Sequence, residues 1–195
     1  MKAKRPYLAA VSAAAIVTSA IHTEAQAFRK FLNQFTEHYE SNGITIDALT
    51  NETSCGLCHV RAGGGGRRTS YGEDFRNIAL DEEKGFPGIE FVDSDSDGFN
   101  NLEEIFLQVH PGQAQSTPQQ RIEIAISGQN TLIVNPNGNC SELELKAFGF
   151  SFGNGQSEYV QSNLVNTIDI PLSGETGAIL AKCEAEGAAG SLLVK

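Results

Sequence analysis

Two cysteines and a histidine stand together in the stretch TSCGLCHV. Two residues separate Cys55 from Cys58, and His59 directly follows the second cysteine. This Cys-x-x-Cys-His pattern is typical of covalent haem attachment, in which each thiol forms a thioether on one edge of the porphyrin. The imidazole that follows binds the iron from the proximal side. The pattern therefore predicts one haem held by Cys55, Cys58 and His59.

Three other interpretations of this motif place different demands on the rest of the chain. A thioredoxin-like redox pair stands at a helix start inside a βαβ unit, which the sequence does not resemble. A structural zinc site needs a second pair of ligands at a suitable spacing, and none follows. A plain disulfide between Cys55 and Cys58 would leave His59 without a role. Haem attachment uses all three residues and leaves Cys140 and Cys183 to form a disulfide, as expected in an oxidising compartment.

A run of glycines, Gly63–Gly66, follows the motif, and Arg67 and Arg68 come next. Glycine allows positive φ and a close approach of the backbone to a flat ligand. Arginine pairs well with carboxylates, so either arginine is a candidate to bind a haem propionate. The alternative is a flexible, solvated loop with surface charge, and the sequence favours neither interpretation.

A second group of chemistry-bearing residues lies in DSDSDGFNNLEE. A calcium loop of the EF-hand kind has about twelve residues, takes oxygen ligands from alternate positions and has glycine at its sixth position for a sharp turn. Gly98 holds that position here. The candidate ligands are Asp93, Asp95, Asp97, the Phe99 carbonyl, Asn101 and Glu104. The spacing predicts bound Ca²⁺; a solvated acidic turn is the alternative, although its aspartates would repel one another without a cation.

The second axial ligand of the haem iron is the next question. Met1 is the only methionine, and we expect it to be removed with a leader, so a His/Met iron is excluded. His38 lies on the apolar face of a predicted helix, three residues after Phe35. We therefore predict His38 as the sixth ligand and His110 as the second candidate. A buried core histidine at position 38 and an open sixth position remain alternatives.

The N-terminus has the three parts of a secretory signal peptide. A basic start is followed by an apolar stretch from Leu8 to Ala20 and by the small-residue pattern AQA that ends at Ala27. We expect cleavage after Ala27 and a periplasmic or secreted protein. No later segment is long and apolar enough for a permanent membrane span.

The charge of the mature chain restricts its partners. Residues 1–27 carry three basic residues and one acidic residue, so their removal changes the formal net charge from −10 to −12. This acidic balance argues against binding nucleic acid or anionic lipid. It favours a basic redox partner protein or divalent cations. The oligomeric state does not follow from the sequence.

Hydrophobic periodicity divides the chain after the leader. Residues 28–92 are predicted to form a small α-helical haem domain that begins with a helix at Phe28–Glu40, and 93–112 form the calcium loop and a second amphipathic helix. Residues 113–120, QAQSTPQQ, look like a linker. In 121–195 the alternation has period two with turn signals between the runs, which predicts a small antiparallel β-sandwich-like module. The predicted fold class is α+β.

The ordered motifs of the first half resemble those of exported bacterial monohaem c-type cytochrome domains. They are the haem motif Cys55–His59, the glycine run Gly63–Gly66, the segment YGEDF at Tyr71–Phe75 and the loop Asp93–Glu104. The loop itself is similar to the single calcium sites of dockerins and thrombospondin type 3 repeats. The resemblance covers Phe28 to Pro118 and implies one covalent haem and a structural calcium ion. It does not supply a reaction, and the β-rich half lies outside it.

Three functions are compatible with these features. The first is an exported electron carrier, in which one haem and no catalytic triad point to one-electron transfer rather than to an enzyme. The second is a haem enzyme or gas sensor with an open sixth position, which the missing methionine permits. The third is a calcium-stabilised surface or adhesion protein in which the β module binds a partner.

Overall fold

A computed structural model describes residues 30–49, 54–61, 63–80, 85–127, 131–148, 151–152, 155–164, 168–172 and 177–194. The predicted signal peptide, residues 1–27, lies outside these ranges. The described part is mixed α+β, with short helices in the first half and a β-rich second half. The predicted fold class is confirmed at this level.

The helices follow the apolar periodicity of the first half. Helix α1 occupies 30–41, and its spacing buries Phe35 and Tyr39 on one face. Helix α2, Ser70–Asp74, continues as a π-helical turn over Phe75–Leu80. Helix α3, Asn101–Phe106, follows the acidic loop. Short 3₁₀ turns lie at Ser54–Leu57, Phe86–Gly88 and Glu184–Glu186.

Two sheets make up the second half. Within the described residues the strands are β1 Gln120–Arg121, β2 Glu123–Ser127, β3 Thr131–Asn135, β4 Cys140–Phe148, β5 Glu158–Leu164, β6 Ile168–Pro171, β7 Gly177–Cys183 and β8 Ala188–Val194. One sheet has the order β1-β8-β7-β4-β5 and the other β2-β3-β6. All pairings are antiparallel except β1 with β8, which is parallel. The predicted linker, 113–120, overlaps β1 by one residue, because Gln120 is the first residue of that strand.

Each half has its own hydrophobic cluster. The cluster of the second half takes side chains from both sheets, including Leu132 of β3, Leu145 of β4 and Ile179 of β7. Inside it Cys140 and Cys183 form a disulfide with a Cα–Cα distance of 5.6 Å, the pairing predicted from the sequence. The cluster of the first half is aromatic and comprises, among others, Phe35, Tyr39, Tyr71, Phe75, Phe86 and Phe106.

The two halves pack directly against each other. Leu180 of β7 is fully buried and belongs to the aromatic cluster of the first half. The Lys182 ammonium lies 4.9 Å from the centre of the Phe106 ring, a cation–π contact. Ser191 of β8 donates a hydrogen bond of 3.0 Å to the Glu103 carboxylate of α3. The β-rich half therefore supports the segment that follows the acidic loop.

Candidate functional site

The Cys-x-x-Cys-His motif is folded as a tight turn. The 3₁₀ turn Ser54–Leu57 carries the first cysteine, and the His59 N–H donates to the Cys55 carbonyl at 2.9 Å. The Val60 N–H donates to the Arg67 carbonyl at 3.0 Å, and His59 makes an isolated antiparallel bridge with Arg68. The segment after the glycine run therefore returns alongside the motif and fixes its backbone.

The start of α2 packs on the same turn. The Thr69 hydroxyl donates to the Leu57 carbonyl at 2.7 Å and accepts from the Gly72 N–H at 3.1 Å, and the Thr69 N–H donates to the Cys58 carbonyl at 3.1 Å. Thr69 is thus both the N-cap of α2 and a brace for the motif. A Cβ on Gly72 would lie 2.0 Å from the Cys58 carbonyl oxygen, so only glycine fits there.

The glycine run adopts the backbone that glycine favours. Gly64, Gly65 and Gly66 have φ of 78°, 72° and 69°, values that other residues rarely adopt. A Cβ on Gly64 would lie 3.5 Å from the Cys55 Sγ, so the loop passes close to that thiol.

The two arginines after the glycine run differ in their surroundings. Arg68 is half-buried and forms an ion pair with Glu73 at 3.4 Å. Arg67 is exposed. The role of either arginine in binding a propionate stays a prediction.

The thiols of the motif are not bonded to each other. Cys55 and Cys58 are both free and half-buried, whereas the other two cysteines are paired. Burial raises the pKa of Cys58 to about 11, and Cys55 adds to this effect while the Arg68 charge opposes it. Both sulfurs are thus free for a covalent partner, and Cys58 is a neutral thiol near neutral pH.

His38 lies on α1, as the periodicity requires, and its contacts are with other parts of the first half. Its Nε2 lies 2.8 Å from a Glu90 carboxylate oxygen. Its ring stacks on Phe86, with centroids 5.8 Å apart, and meets Tyr39 edge-on at 4.8 Å. It also lines an open cavity of about 600 Å³ whose apolar walls include Phe31, Phe75 and Phe86. Its role as the sixth ligand stays a prediction.

His110 uses both ring nitrogens. Its Nε2 lies 2.9 Å from the Gly56 carbonyl, inside the Cys55–His59 motif, and its Nδ1 accepts from the Gly112 N–H at 3.1 Å. Because a carbonyl can only accept and an N–H can only donate, these partners assign the neutral tautomer with hydrogen on Nε2. Ligation of iron by His110 would cost one of these hydrogen bonds.

The acidic loop folds around its own first aspartate. Carboxylate oxygens of Asp93, Asp95 and Asp97 lie within 4.8 Å of one another. Asp93 accepts from the N–H groups of Ser96 at 2.8 Å and of Gly98 at 2.9 Å. The φ of 99° at Gly98 provides the sharp turn predicted at that position.

Several oxygens of this loop are buried without a hydrogen-bond partner among the described residues. They are both carboxylate oxygens of Asp95 and of Glu104, one of Asp97 and the side-chain oxygen of Asn101. Glu104 is fully buried, and burial, together with the neighbouring aspartates, raises its pKa to about 10. Buried acceptors without donors are costly. Four of the predicted ligands, Asp95, Asp97, Asn101 and Glu104, thus have side-chain oxygens without partners, whereas both oxygens of Asp93 accept backbone hydrogen bonds. This donor set fits a hard divalent cation such as Ca²⁺.

Several structural residues escaped the sequence reasoning. Asn100 is the N-cap of α3 and forms a reciprocal capping box with Glu103. The N-x-x-E pattern of residues 100–103 carries this signal. Glu103 also pairs with Arg121 at 3.1 Å, and Arg121 donates to the Gly98 carbonyl and lies 4.3 Å over the Phe99 ring. Arg121 of the β-rich half therefore holds the acidic loop in place, and no local sequence pattern predicts this contact.

Comparison with protein-family models, with curated proteins and with solved structures finds no match for this chain. In the part of the chain that the structure describes, no helix has the length and apolarity needed to span a bilayer. The functional argument therefore depends on the residues themselves.

Proposed function

We propose that this chain is an exported monohaem c-type cytochrome that transfers single electrons and is stabilised by a structural calcium ion. The observation that carries the proposal is the contrast between the cysteines. Cys140 and Cys183 are joined, but Cys55 and Cys58 are free although they stand two residues apart in a folded turn. Two free thiols followed by a histidine are the set that haem attachment requires.

Each residue of the motif has a role in this proposal. Cys55 and Cys58 would form the two thioethers, and His59 would be the proximal ligand of the iron. When bound, haem supplies a one-electron Fe(III)/Fe(II) couple. The chain's own contribution is positional: Thr69 and Gly72 brace the peptide of Cys58, and the Gly64 backbone lies beside Cys55. Arg67 and Arg68 are proposed partners of a propionate.

The proposed sixth ligand is His38. It is half-buried and lines the cavity of about 600 Å³ with Phe31, Phe75 and Phe86. Among the described residues that line this cavity there is none of the Cys55–His59 motif, so His38 and the motif do not share a cavity wall. To bind iron through Nε2, His38 would have to give up its hydrogen bond with Glu90. Glu90 could then accept a hydrogen bond only from Nδ1, and only after the ring had rotated. His110 is less suited, because both its nitrogens are already engaged.

Those same hydrogen bonds favour a second candidate function. If His38 keeps Glu90 and His110 keeps Gly56, the sixth position of the iron stays open. The chain would then bind a small molecule at iron, as a gas sensor or haem enzyme does.

Carbon monoxide added to the reduced protein separates the two functions. An unchanged low-spin spectrum supports the electron carrier, and a carbon monoxide complex supports the sensor or enzyme. The His38→Ala variant is the matched test, because a ligand lost there should turn a low-spin iron into one that binds carbon monoxide. A variant that keeps the parent's low-spin spectrum would exclude His38 as the ligand.

The calcium ion is proposed to be structural. Asp93, Asp95 and Asp97 bring three carboxylates together, and the buried Glu104 is close enough for their charges to raise its pKa. Asn101 adds a side-chain oxygen that has no partner among the described residues. The clamp by Arg121 on the Gly98 carbonyl restricts opening of the loop. We therefore propose a site that holds the fold rather than one that signals by opening.

The proposed surroundings of the protein follow from charge and export. A mature chain of net charge −12, if residues 1–27 are removed, would attract a basic redox partner at long range. An association rate with a basic partner protein that falls steeply with added salt supports this partner class, and a rate that is insensitive to salt contradicts it.

A further inference from the structure

The segment after α3 connects the acidic loop with the haem motif in three short steps. The Val109 N–H donates to the carbonyl of Glu104 at 2.9 Å. His110 follows, and its Nε2 donates to the Gly56 carbonyl at 2.9 Å. Gly56 lies between the two cysteines of the motif. Two residues, Val109 and His110, and two hydrogen bonds therefore separate a proposed calcium ligand from the haem peptide.

Hydrogen bonds at both ring nitrogens of His110 fix the orientation of the ring. Its Nδ1 accepts from the Gly112 N–H at 3.1 Å, so its Nε2 must carry the hydrogen that Gly56 receives. The His110 N–H is in turn held by the Ser116 hydroxyl at 2.9 Å. Rotation of the ring would break two hydrogen bonds at once.

The same segment is wedged against α2. A Cβ on Gly112 would lie 2.9 Å from the Tyr71 backbone nitrogen and 3.1 Å from the Thr69 Cβ. Thr69 itself donates to the Leu57 carbonyl at 2.7 Å. A displacement of the segment would therefore reach the haem motif by two routes, through Gly56 and through Thr69.

The buried side chain of Glu104 provides a driving force for displacing the segment after α3. Glu104 is fully buried among aspartates, and both its carboxylate oxygens lack donors among the described residues. Without a cation these buried oxygens stay without partners, which favours moving Glu104 toward solvent, and its carbonyl carries the Val109 hydrogen bond with it.

We infer that His110 is a positioning residue that couples the calcium loop to the Cys55–His59 motif, so that cation binding at the loop holds the haem peptide in place. This inference rests on the calcium and haem sites of the proposed function. His110 in this role does not touch the iron. It acts through the Gly56 carbonyl.

The first experiment uses the full-length chain produced without haem, and it measures the alkylation rate of Cys58 with Ca²⁺ or with a chelator. Loss of one hydrogen bond should raise the population of molecules in which the Cys55–His59 turn is open by about 5-fold, the equivalent of about 1 kcal/mol. Chelation should therefore speed alkylation of Cys58 by about that factor in the parent. Asp97→Ala and His110→Ala should both be fast and insensitive to Ca²⁺. His110→Gln, whose amide can still donate to Gly56, should restore the response.

The second experiment uses the haem-loaded chain and measures the reduction potential with and without Ca²⁺. The parent and His110→Gln should shift, and His110→Ala should not. Haem retention and Ca²⁺ binding are measured separately by intact mass and by calorimetry, so a loss of either proposed site is distinguished from a loss of the coupling. A His110→Ala variant that binds Ca²⁺ and keeps the parent's alkylation response would overturn the inference. So would a parent that binds Ca²⁺ with no change at Cys58.

Discussion

The substitution Glu104→Gln tests the proposed calcium site in the most discriminating way. It keeps the shape of a fully buried side chain but removes a charge that has no donor among the described residues. In the parent, Ca²⁺ that binds only the folded state adds RT ln(1 + [Ca²⁺]/Kd) to the free energy of unfolding. For a Kd of about 0.1–1 mM, typical of extracellular calcium modules, about 10 mM Ca²⁺ contributes about 1.4–2.7 kcal/mol.

This gain should be visible as a rise in the melting temperature. For a chain of this size about 1 kcal/mol raises Tm by about 2–4 °C, so the parent should gain about 3–11 °C in Ca²⁺. Glu104→Gln should lose most of that gain. In chelator at pH 8 the variant should melt no lower than the parent, because it removes a carboxyl group that burial and the neighbouring aspartates force to take up a proton on folding. Glu142→Gln, an exposed change on β4, is the matched control and should keep the full response.

The pH dependence supplies a second signature of the same carboxyl group. Without a cation the pKa of Glu104 is about 10 in the folded state, against 4.5 ordinarily. The folded state then binds more protons than the unfolded state between these values, so stability falls as pH rises, by at most about 1.4 kcal/mol per pH unit. Bound Ca²⁺ should remove this slope. A Glu104→Gln variant that retains the parent's Ca²⁺-induced rise in Tm would refute the reasoning.

Three further predictions concern the supports of the site. Replacing Cys140 and Cys183 together by alanine should lower the free energy of unfolding by about 3–4 kcal/mol, measured by denaturant titration; an unchanged midpoint would argue against the disulfide. Gly72→Ala, which places a methyl group 2.0 Å from the Cys58 carbonyl oxygen, should cost at least about 2 kcal/mol. Gly63→Ala is its control, since apart from its chain neighbours no described residue has an atom within 4 Å of the added Cβ, and equal losses in the two variants would contradict the packing argument. In the haem-free chain, the Cys58 thiol should be alkylated at a rate that rises up to a pH of about 11, its pKa; a plateau below pH 9 would contradict its burial.

The sequence was informative where one local pattern controls the structure. The spacing of Phe35 and Tyr39 predicted a helix in the first half, and the strict alternation after Arg121 predicted strands. The glycine at position 98 predicted a sharp turn, and its φ is positive. In each case the physical cause, burial of one face or freedom of one φ angle, lies within a few residues of the chain.

Contacts between distant segments were beyond such patterns. Strand β5, EYVQSNL, is polar and lies at the edge of its sheet, and β8 begins with Ala188, Ala189 and Gly190, which carry little strand signal. The parallel pairing of β1 with β8 and the hydrogen bond from His110 to Gly56 join residues more than fifty positions apart. The tautomer of His110 depends wholly on those partners, and the sequence identified His110 only as the second candidate for the sixth ligand.

The intact mass of the chain, produced in a host with cytochrome maturation machinery and measured after acid extraction of loose haem, tests the central claim most directly. The account predicts the polypeptide mass plus one haem, with the added mass lost when Cys55 and Cys58 are both replaced by serine. A bare polypeptide mass from that host, with Cys55 and Cys58 recovered as free thiols or as a disulfide, would contradict it.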